Sequence, residues 1–251
     1  LQQMGLSLVA LNVDNYFYDL EQHPKDEFGD YDFETPQALD LALINRHLSQ
    51  LIEGKEIRIP FYDFKLGKRF DERTPMQIGK NDIILIDSLH GLYPPMTKDI
   101  APSKKFKLYL EPLLQMKESN GQYIRWTDIR LMRRMLRDAA YRGYDTERTL
   151  THWHYVRAGE MRHIIPNNVY ADFIINSAMP YELSIYKAKL FDDFQVWTEK
   201  YKNDPIREDA YLRSARIFRT LQEIPLLKTD NFVPGDSVIR EFIGGSTLQY
   251  H

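Results

Sequence analysis

Two aspartates and a run of arginines are the residues of this sequence best placed to do chemistry. Asp14 follows the apolar run Leu8-Val9-Ala10-Leu11-Asn12-Val13, and Asp87 closes Asp82-Ile83-Ile84-Leu85-Ile86-Asp87. Each run has the length and composition of a buried parallel strand. Carboxylates at the C-terminal ends of two such strands face one crevice of an open α/β sheet. Such a pair suits a hard cation plus a hydroxyl to be deprotonated: one carboxylate holds Mg2+ and the other takes the proton. Either carboxylate alone also serves as a helix cap or loop residue. Between Thr127 and Arg142, a predicted helix, lie Arg130, Arg133, Arg134 and Arg137 on one face, with Arg142 before Gly143. Met132, Met135, Leu136 and Ala139 make the opposite face. Guanidinium groups in one stripe grip phosphate and stabilise the charge that develops in phosphoryl transfer. The alternative is a solvated face neutralised by Asp128 and Asp138.

The elements that must position these groups alternate along the chain. After the first strand, the polar, acidic stretch from Glu21 to Asp32 reads as a loop. Thr35-Pro36 predicts a helix start with Pro at its first position. That helix runs to about Glu53 on a stripe of Leu39, Leu43, Leu48 and Leu51, and Gly54 stops it. Lys55 to Phe64 alternates like an edge strand. Phe106 to Leu110 and Ala171 to Asn176 are further strand candidates. Thr151 to Ile164, Tyr181 to Leu190 and Ile206 to Glu223 predict helices, and the tail from Phe232 to His251 is Gly-rich and irregular. Strands alternating with helices predict an α/β fold, a mainly parallel sheet with helices on both faces. The one boundary suggested lies near Pro180, after which strands run out. The segment Leu1 to Gly5 reads as the last turn of a helix with a Gly stop, so the chain is expected to begin inside a structure.

Composition removes several classes of function. The chain has 251 residues and no Cys, which excludes disulfide frameworks, Cys-ligated zinc, iron–sulfur clusters and thiol nucleophiles. It suits a reducing compartment, and a cytoplasmic protein is expected. With 33 basic and 36 acidic residues, there is no basic excess to bind nucleic acid. No apolar run approaches the ~20 residues of a membrane span. Tyr16 to Tyr18, Tyr62 and Phe64 could line an aromatic slot for a flat base, though each also reads as core. His152, His154, Glu160 and His163 have no recognised metal spacing and read as helix surface.

In order, these pieces resemble the uridine kinase and phosphoribulokinase family of P-loop kinases, over roughly Ser7 to Lys187. Val13-Asp14-Asn15-Tyr16-Phe17 is similar to the family's segment after its second strand, whose Asp acts as general base near Mg2+. Tyr31-Asp32-Phe33-Glu34-Thr35-Pro36-Gln37-Ala38-Leu39-Asp40 resembles the family's Phe-Asp-His-Pro-Asp-Ala-Phe-Asp stretch, with Glu34 in place of the acid that holds the ribose hydroxyls. Ile59-Pro60-Phe61-Tyr62-Asp63-Phe64 matches Pro-x-Tyr-Asp-Phe, whose aromatics stack on the base. Asp82 to Asp87 resembles the Walker B strand, and Thr127 to Arg142 the lid. Tyr170-Ala171-Asp172 resembles the strand after the lid. Three features depart from the pattern. No Gly-x-x-x-x-Gly-Lys-Ser/Thr loop occurs in the sequence. The Glu-Gly after Walker B is Asp87-Ser88, and the family's base-reading His is Gly67.

The resemblance implies a P-loop-kinase-like domain lacking its first strand and P-loop. It implies a kinase core over residues 1–180 with a lid at about 127–145, and a helical extension of the same domain over 181–251. It implies a nucleoside kinase that uses ATP and Mg2+ and acts on a uridine- or cytidine-type 5′-hydroxyl, this fragment alone being inactive. Asp14 takes the hydroxyl proton in that reading, and Asp14 with Asp87 holds the metal. Glu34 binds ribose, and Tyr62 and Phe64 bind the base. Arg133, Arg134, Arg137 and Arg142 close over phosphates, with Arg134 and Arg137 also on ATP. A small-molecule acceptor is the implied partner, with neither nucleic acid nor membrane, and a homo-oligomer is allowed. Tyr31 to Asp40, Gly91-Leu92-Tyr93-Pro94 and Arg240 to Ser246 look closest to a bacterial subgroup. There, a region similar to part of threonyl-tRNA synthetase precedes the kinase-like module. Two alternatives stay open: a non-catalytic, nucleotide-responsive binding module, and a kinase of another small alcohol or sugar phosphate.

Overall fold

In the computed structural model, which describes residues 2–25, 29, 31–143 and 145–248, the chain divides into two compact units. One comprises Leu1–Tyr109 with Arg157–Phe173, the other Leu110–Val156 with Ile174–His251. Gln2–Met4 forms a short 3-10 turn and Gly5 follows at φ 72°. Leu1, also part of that expected helix end, lies outside the described residues.

In the first unit, β1 (Ser7–Asn12) runs into a 3-10 turn over Val13–Tyr16. The predicted helix from Pro36 is corrected. Pro36–Ala38 makes only a 3-10 turn, and α1 (Leu41–Ile52) begins where Asp40 Oδ1 accepts the Leu43 N–H at 2.9 Å. That cap satisfies a donor the helix itself leaves unpaired, and the side chain five residues nearer the turn cannot do so. The helix buries Leu43, Ile44, Leu48 and Leu51, each contributing about 1.5–3 kcal/mol. Next, β2 (Ile57–Asp63) and β3 (Lys68–Met76) form an antiparallel hairpin, with Asp63 opposite Lys68 and Ile57 opposite Met76. The register shifts between Ile59 and Phe61, where Pro60 has no N–H to give the ladder. Asp63 Oδ1 accepts the Lys65 and Leu66 N–H groups at 2.8 and 3.1 Å, which folds the connecting turn. Then β4 (Asp82–Asp87) pairs with β1 in parallel, placing Asn12 opposite Asp87. The core of the unit gathers Leu11, Val13, Tyr16, the α1 leucines, Ile57, Ile59 and Tyr62. Leu8 and Leu85, on the other side of the β1–β4 pair, are exposed.

The chain continues through β5 (Leu108–Glu111), which pairs with β6 (Phe173–Asn176). The Lys107 carbonyl accepts from Phe173 at 3.2 Å and the Glu111 carbonyl from Ser177 at 2.9 Å. Equal steps along both strands make this pairing parallel. The fold is thus α/β with parallel strand pairs, and among the described residues the strands form three two-stranded sheets.

In the second unit, α2 (Trp126–Arg137) passes into a π-helical turn over Asp138–Arg142 that Gly143 ends at φ 63°. It is followed by α3 (Thr146–Gly159), whose first eleven residues belong to this unit. Then come α4 (Glu182–Tyr201), α5 (Glu208–Glu223) and the short α6 (Arg240–Ile243). Ile129, Met132 and Met135 share one core with Leu183, Tyr186, Leu190, Phe194, Trp197, Ile217 and Leu221. The arginine helix and the C-terminal helices bury their apolar faces in the same core. No helix among the described residues is long and apolar enough to cross a membrane.

Candidate functional site

The parallel register of β1 and β4 is the first requirement of the site. Asn12 and Asp87 are partners, so Asp14 and Asp87 leave the same end of the strand pair. Both are exposed. The Asp14 N–H is tied to Asn12 Oδ1 at 2.9 Å, which fixes the backbone just after the strand. Two carboxylates offer only hard oxygen donors, which fits Mg2+ retaining most of its waters. No cluster of three or more acidic or histidine ligands occurs among the described residues.

A group of rings follows directly. Phe17 lies 5.4 Å from His23, 5.8 Å from Phe33, 5.5 Å from Tyr62 and 5.9 Å from Phe64, centroid to centroid. Tyr62 and Phe64 meet edge to face at 4.9 Å. Tyr62 is buried, whereas Phe33 and Phe64 are 40% and 60% exposed. Such rings give a flat, apolar surface that can take a planar ligand. Tyr16 does not join them. It is core, its hydroxyl bonded to His47 Nδ1 at 2.9 Å, and burial pushes its phenol well up. The turn at Gly67 is closed to a side chain: φ is 63°, and a Cβ there would sit 2.9 Å from Leu20 Cβ.

Glu34 belongs to a third cluster of the same unit. Its N–H donates to Asp32 Oδ1 at 2.8 Å, and its Cβ approaches so near Gly159 that a Cβ on residue 159 would lie 2.9 Å away. Close by, His90 and His163 meet edge to face at 6.2 Å. His90 is 4% exposed. Its burial, and to a smaller degree the charge of His163, push its pKa down to about 4, although the Glu34 backbone favours the charged form. Burial lowers His163 as well, while Asp32 works the other way. Glu160, read from sequence as surface, is buried against Arg157. Sequence reasoning missed His23, Phe33 and His90. Only Phe33 carried a signal, its place one residue before Glu34.

A polar cleft of about 570 Å³ lies between α1 and the hairpin, lined in part by Asp40, Arg46, His47, Arg58 and Arg69. Within it Arg69 pairs with Asp40 at 3.0 Å and with Asp71 at 2.9 Å. It shares no lining residue with the rings or with the two strand-end aspartates.

The arginines of α2 are arranged otherwise than their spacing suggests. Arg133 is corrected: it is 7% exposed, with Nε 2.8 Å and Nη2 3.1 Å from the Glu182 carboxylate. Its remaining donors reach the Ser177 hydroxyl at 3.1 Å and carbonyl at 2.8 Å, and Tyr186 donates to the same Glu182 at 3.0 Å. A guanidinium spent in this way has no fork left for a substrate. Arg134 pairs with Asp138 at 3.2 Å and Arg137 with Glu241 at 3.0 Å, both arginines about one-third exposed. Arg130 lies 3.4 Å from Glu111. Asp128 serves none of them and instead holds Arg216 by two bonds of 2.7 Å. The side chain of Arg142 lies outside what the structure describes.

Residues 5–184 match the profile of the Phosphoribulokinase / Uridine kinase family. Among individual relatives, "Uridine-cytidine kinase 2-B" of Danio rerio is 30% identical over 67% of this chain and 59% of its own length. "Uridine-cytidine kinase B" of Dictyostelium discoideum is 27% identical over 70% of this chain and 64% of its own. "Uridine kinase-like protein 5" of Arabidopsis thaliana is 25% identical over 67% of this chain and 32% of its own. The chain thus spans less than two-thirds of the length of each of these relatives.

Proposed function

Since this chain belongs to the phosphoribulokinase / uridine kinase family, we propose that it carries the acceptor side of an ATP-dependent nucleoside kinase. The reaction is transfer of the γ-phosphoryl of ATP to the 5′-hydroxyl of uridine or cytidine. The observation that carries this reading is the parallel register. It brings Asp14 and Asp87 to one strand end, and Asp14 lies three residues before Phe17, the first of the clustered rings. The two relatives named as uridine-cytidine kinases agree with it.

The residues divide the work as follows. Tyr62 and Phe64 hold the base on an apolar surface, and Glu34 accepts hydrogen bonds from the ribose hydroxyls. This fixes the 5′-hydroxyl, and positioning is most of what phosphoryl transfer asks of a protein. Asp14 accepts the proton of that hydroxyl as the oxygen forms its bond to phosphorus. Asp14 and Asp87 are the residues that would hold Mg2+, which supplies charge neutralisation on the phosphates. Arg134 and Arg137 can turn toward phosphate only by giving up Asp138 and Glu241. The sequence holds no Gly-rich phosphate loop with its Lys, so this chain by itself is expected to be silent, and the full gene product is the species to assay. An upstream part of the same polypeptide is the proposed source of that loop.

Substituting Asp14→Asn in the full gene product tests the assignment. General-base removal lowers kcat by about 10²–10⁴-fold, read as ADP release with uridine, while KM for uridine moves little. An unchanged kcat refutes the role. A second reading, a nucleotide-responsive module without catalysis, is favoured by the carboxylate partners that already occupy Arg134 and Arg137.

A further inference from the structure

His90 is a side chain on which three segments of the first unit meet. The first is its own turn, which follows β4 directly. There the His90 N–H donates to Ser88 Oγ at 3.1 Å, the Gly91 N–H to the Ser88 carbonyl at 3.3 Å and the Tyr93 N–H to the His90 carbonyl at 2.9 Å. The imidazole is 4% exposed, and neither Nδ1 nor Nε2 makes a hydrogen bond. Groups this deeply buried are nearly always satisfied, and each exception calls for a functional explanation. Burial holds the ring neutral, with a pKa of about 4, so it carries one N–H and one bare nitrogen.

The second segment carries Glu34. Its backbone lies near enough to favour the charged form of the His90 ring, though it falls short of hydrogen-bond geometry. A backbone group that favours imidazolium is a carbonyl, which can only accept. Glu34 is fixed at two other points. Its N–H donates to Asp32 Oδ1 at 2.8 Å, and its Cβ takes the space that a Cβ on Gly159 would need, 2.9 Å away. The third segment begins at that glycine. Four residues on, the half-buried His163 meets the His90 ring edge to face at 6.2 Å. Asp32 and Arg162 are the charged side chains that act on His163. Asp32 thus sets the Glu34 N–H, Gly159 admits its Cβ, and its carbonyl faces an unmatched ring.

We propose that His90 is the positioning residue for Glu34: its ring N–H closes onto the Glu34 carbonyl as the Glu34 carboxylate takes the ribose hydroxyls. This rests on the nucleoside reading above. A carboxylate carried on a turn holds a hydroxyl well only when its own backbone is fixed. The new bond supplies that fixation, and it satisfies a buried donor that is costly to leave unmatched. His90 stands three residues after Asp87, so the same contact ties the ribose acid to the strand end that bears Asp87. His90 acts through Glu34. It touches neither the nucleoside nor the phosphates and takes no part in moving the phosphoryl group.

The test is steady-state kinetics of the full gene product with uridine and with 2′,3′-dideoxyuridine, which keeps the 5′-hydroxyl and lacks the two hydroxyls assigned to Glu34. The wild type is expected to show a KM for uridine at least about tenfold lower than for the dideoxy analogue. His90→Phe keeps a buried ring and removes the N–H, so the uridine KM rises about three- to tenfold. The rise is confined to that constant, with kcat and the dideoxyuridine KM moving little. In a Glu34→Ala background, the same substitution adds nothing, because the group it positions is gone. His90→Leu, smaller than the ring, gives the same readings if His90→Phe does not fold. An equal rise for both nucleosides, a rise that persists in Glu34→Ala, or an unchanged uridine KM overturns the role of His90 and leaves the nucleoside reading standing. Turnover of neither nucleoside by the wild type overturns the nucleoside reading itself, and this proposal with it.

Discussion

The ring-and-carboxylate unit and the arginine unit differ in the kind of polar group they leave unmatched: neutral rings and a phenol in the first, single atoms of otherwise bonded guanidiniums such as Arg137 Nε and Arg240 Nε in the second. In the second, buried charges are matched: Arg133 with Glu182, Arg216 with Asp128. In the first, His23 Nδ1, the Tyr62 hydroxyl and both ring nitrogens of His90 lack hydrogen-bond geometry to any partner. Matched buried charges hold helices together and fix their register, and removing one partner strands the other. Unmatched neutral groups cost stability and are retained where a ligand completes them. Spacing along a helix cannot distinguish the two cases. Four arginines on one stripe suggested a phosphate grip, yet the most deeply buried of them is an internal strut.

Four measurements break or sharpen that contrast, in falling order of effect. Arg133→Ala should be the most damaging, since it leaves the Glu182 carboxylate buried and unpaired, at a cost of about 3–5 kcal/mol in denaturant unfolding. A loss below about 1 kcal/mol would mean the pair is not buried in solution. His90 comes next. Its folded-state pKa of about 4 lies below its ordinary 6.5. The folded state therefore binds fewer protons than the unfolded state between these values. The neutral ring's contribution is fully present above pH 6.5 and falls away toward pH 4, by up to about 3 kcal/mol. In His90→Phe, the loss of stability on acidification over that window should be smaller by that amount. An unaltered profile would show that His90 titrates normally. Phe64→Ala should then raise KM for the nucleoside about tenfold, as expected for one lost stacking partner. It should leave the melting temperature nearly unchanged, because the ring is 60% exposed. A drop in melting temperature with KM intact would make Phe64 a packing residue. Smallest is the effect of Arg134→Ala with Arg137→Ala on stability, no more than about 1 kcal/mol for each partly exposed pair. A kinetic loss well beyond that stability change would show that these arginines do exchange their carboxylates for phosphate, and an unchanged rate would remove the lid role.

Much of the first unit was legible in the sequence because its signals are local. The apolar runs before Asp14 and through Asp87 gave β1 and β4 with their end carboxylates, but their expected burial is corrected: Leu11 is the one buried residue of the two strands, and Leu8, Ile83 and Leu85 are exposed. The stripe of α1 was equally plain, though its start was misplaced: Thr35-Pro36 carries a helix-start pattern that Asp40 satisfies in fact. The strand β3 went unread because Lys-Arg-Phe-Asp-Glu-Arg-Thr-Pro-Met is polar and contains Pro, as an exposed edge strand can be. In α4, the apolar stripe continues past the expected end at Leu190 through Phe194, Trp197 and Tyr201. The burial of Arg133 depends on Glu182, forty-nine residues away, and no helical period encodes such a partner. His23 sits in a polar loop just before Pro24 and among acids, and only the fold brings it to Tyr62.

The most direct test of the account is to incubate the full gene product with ATP, Mg2+ and a panel of nucleosides, sugar phosphates and small alcohols, and to identify the phosphorylated product. The account predicts 5′-phosphorylated uridine or cytidine and no product from the other acceptors. A protein that binds ATP yet phosphorylates no nucleoside, or prefers a sugar phosphate, contradicts it.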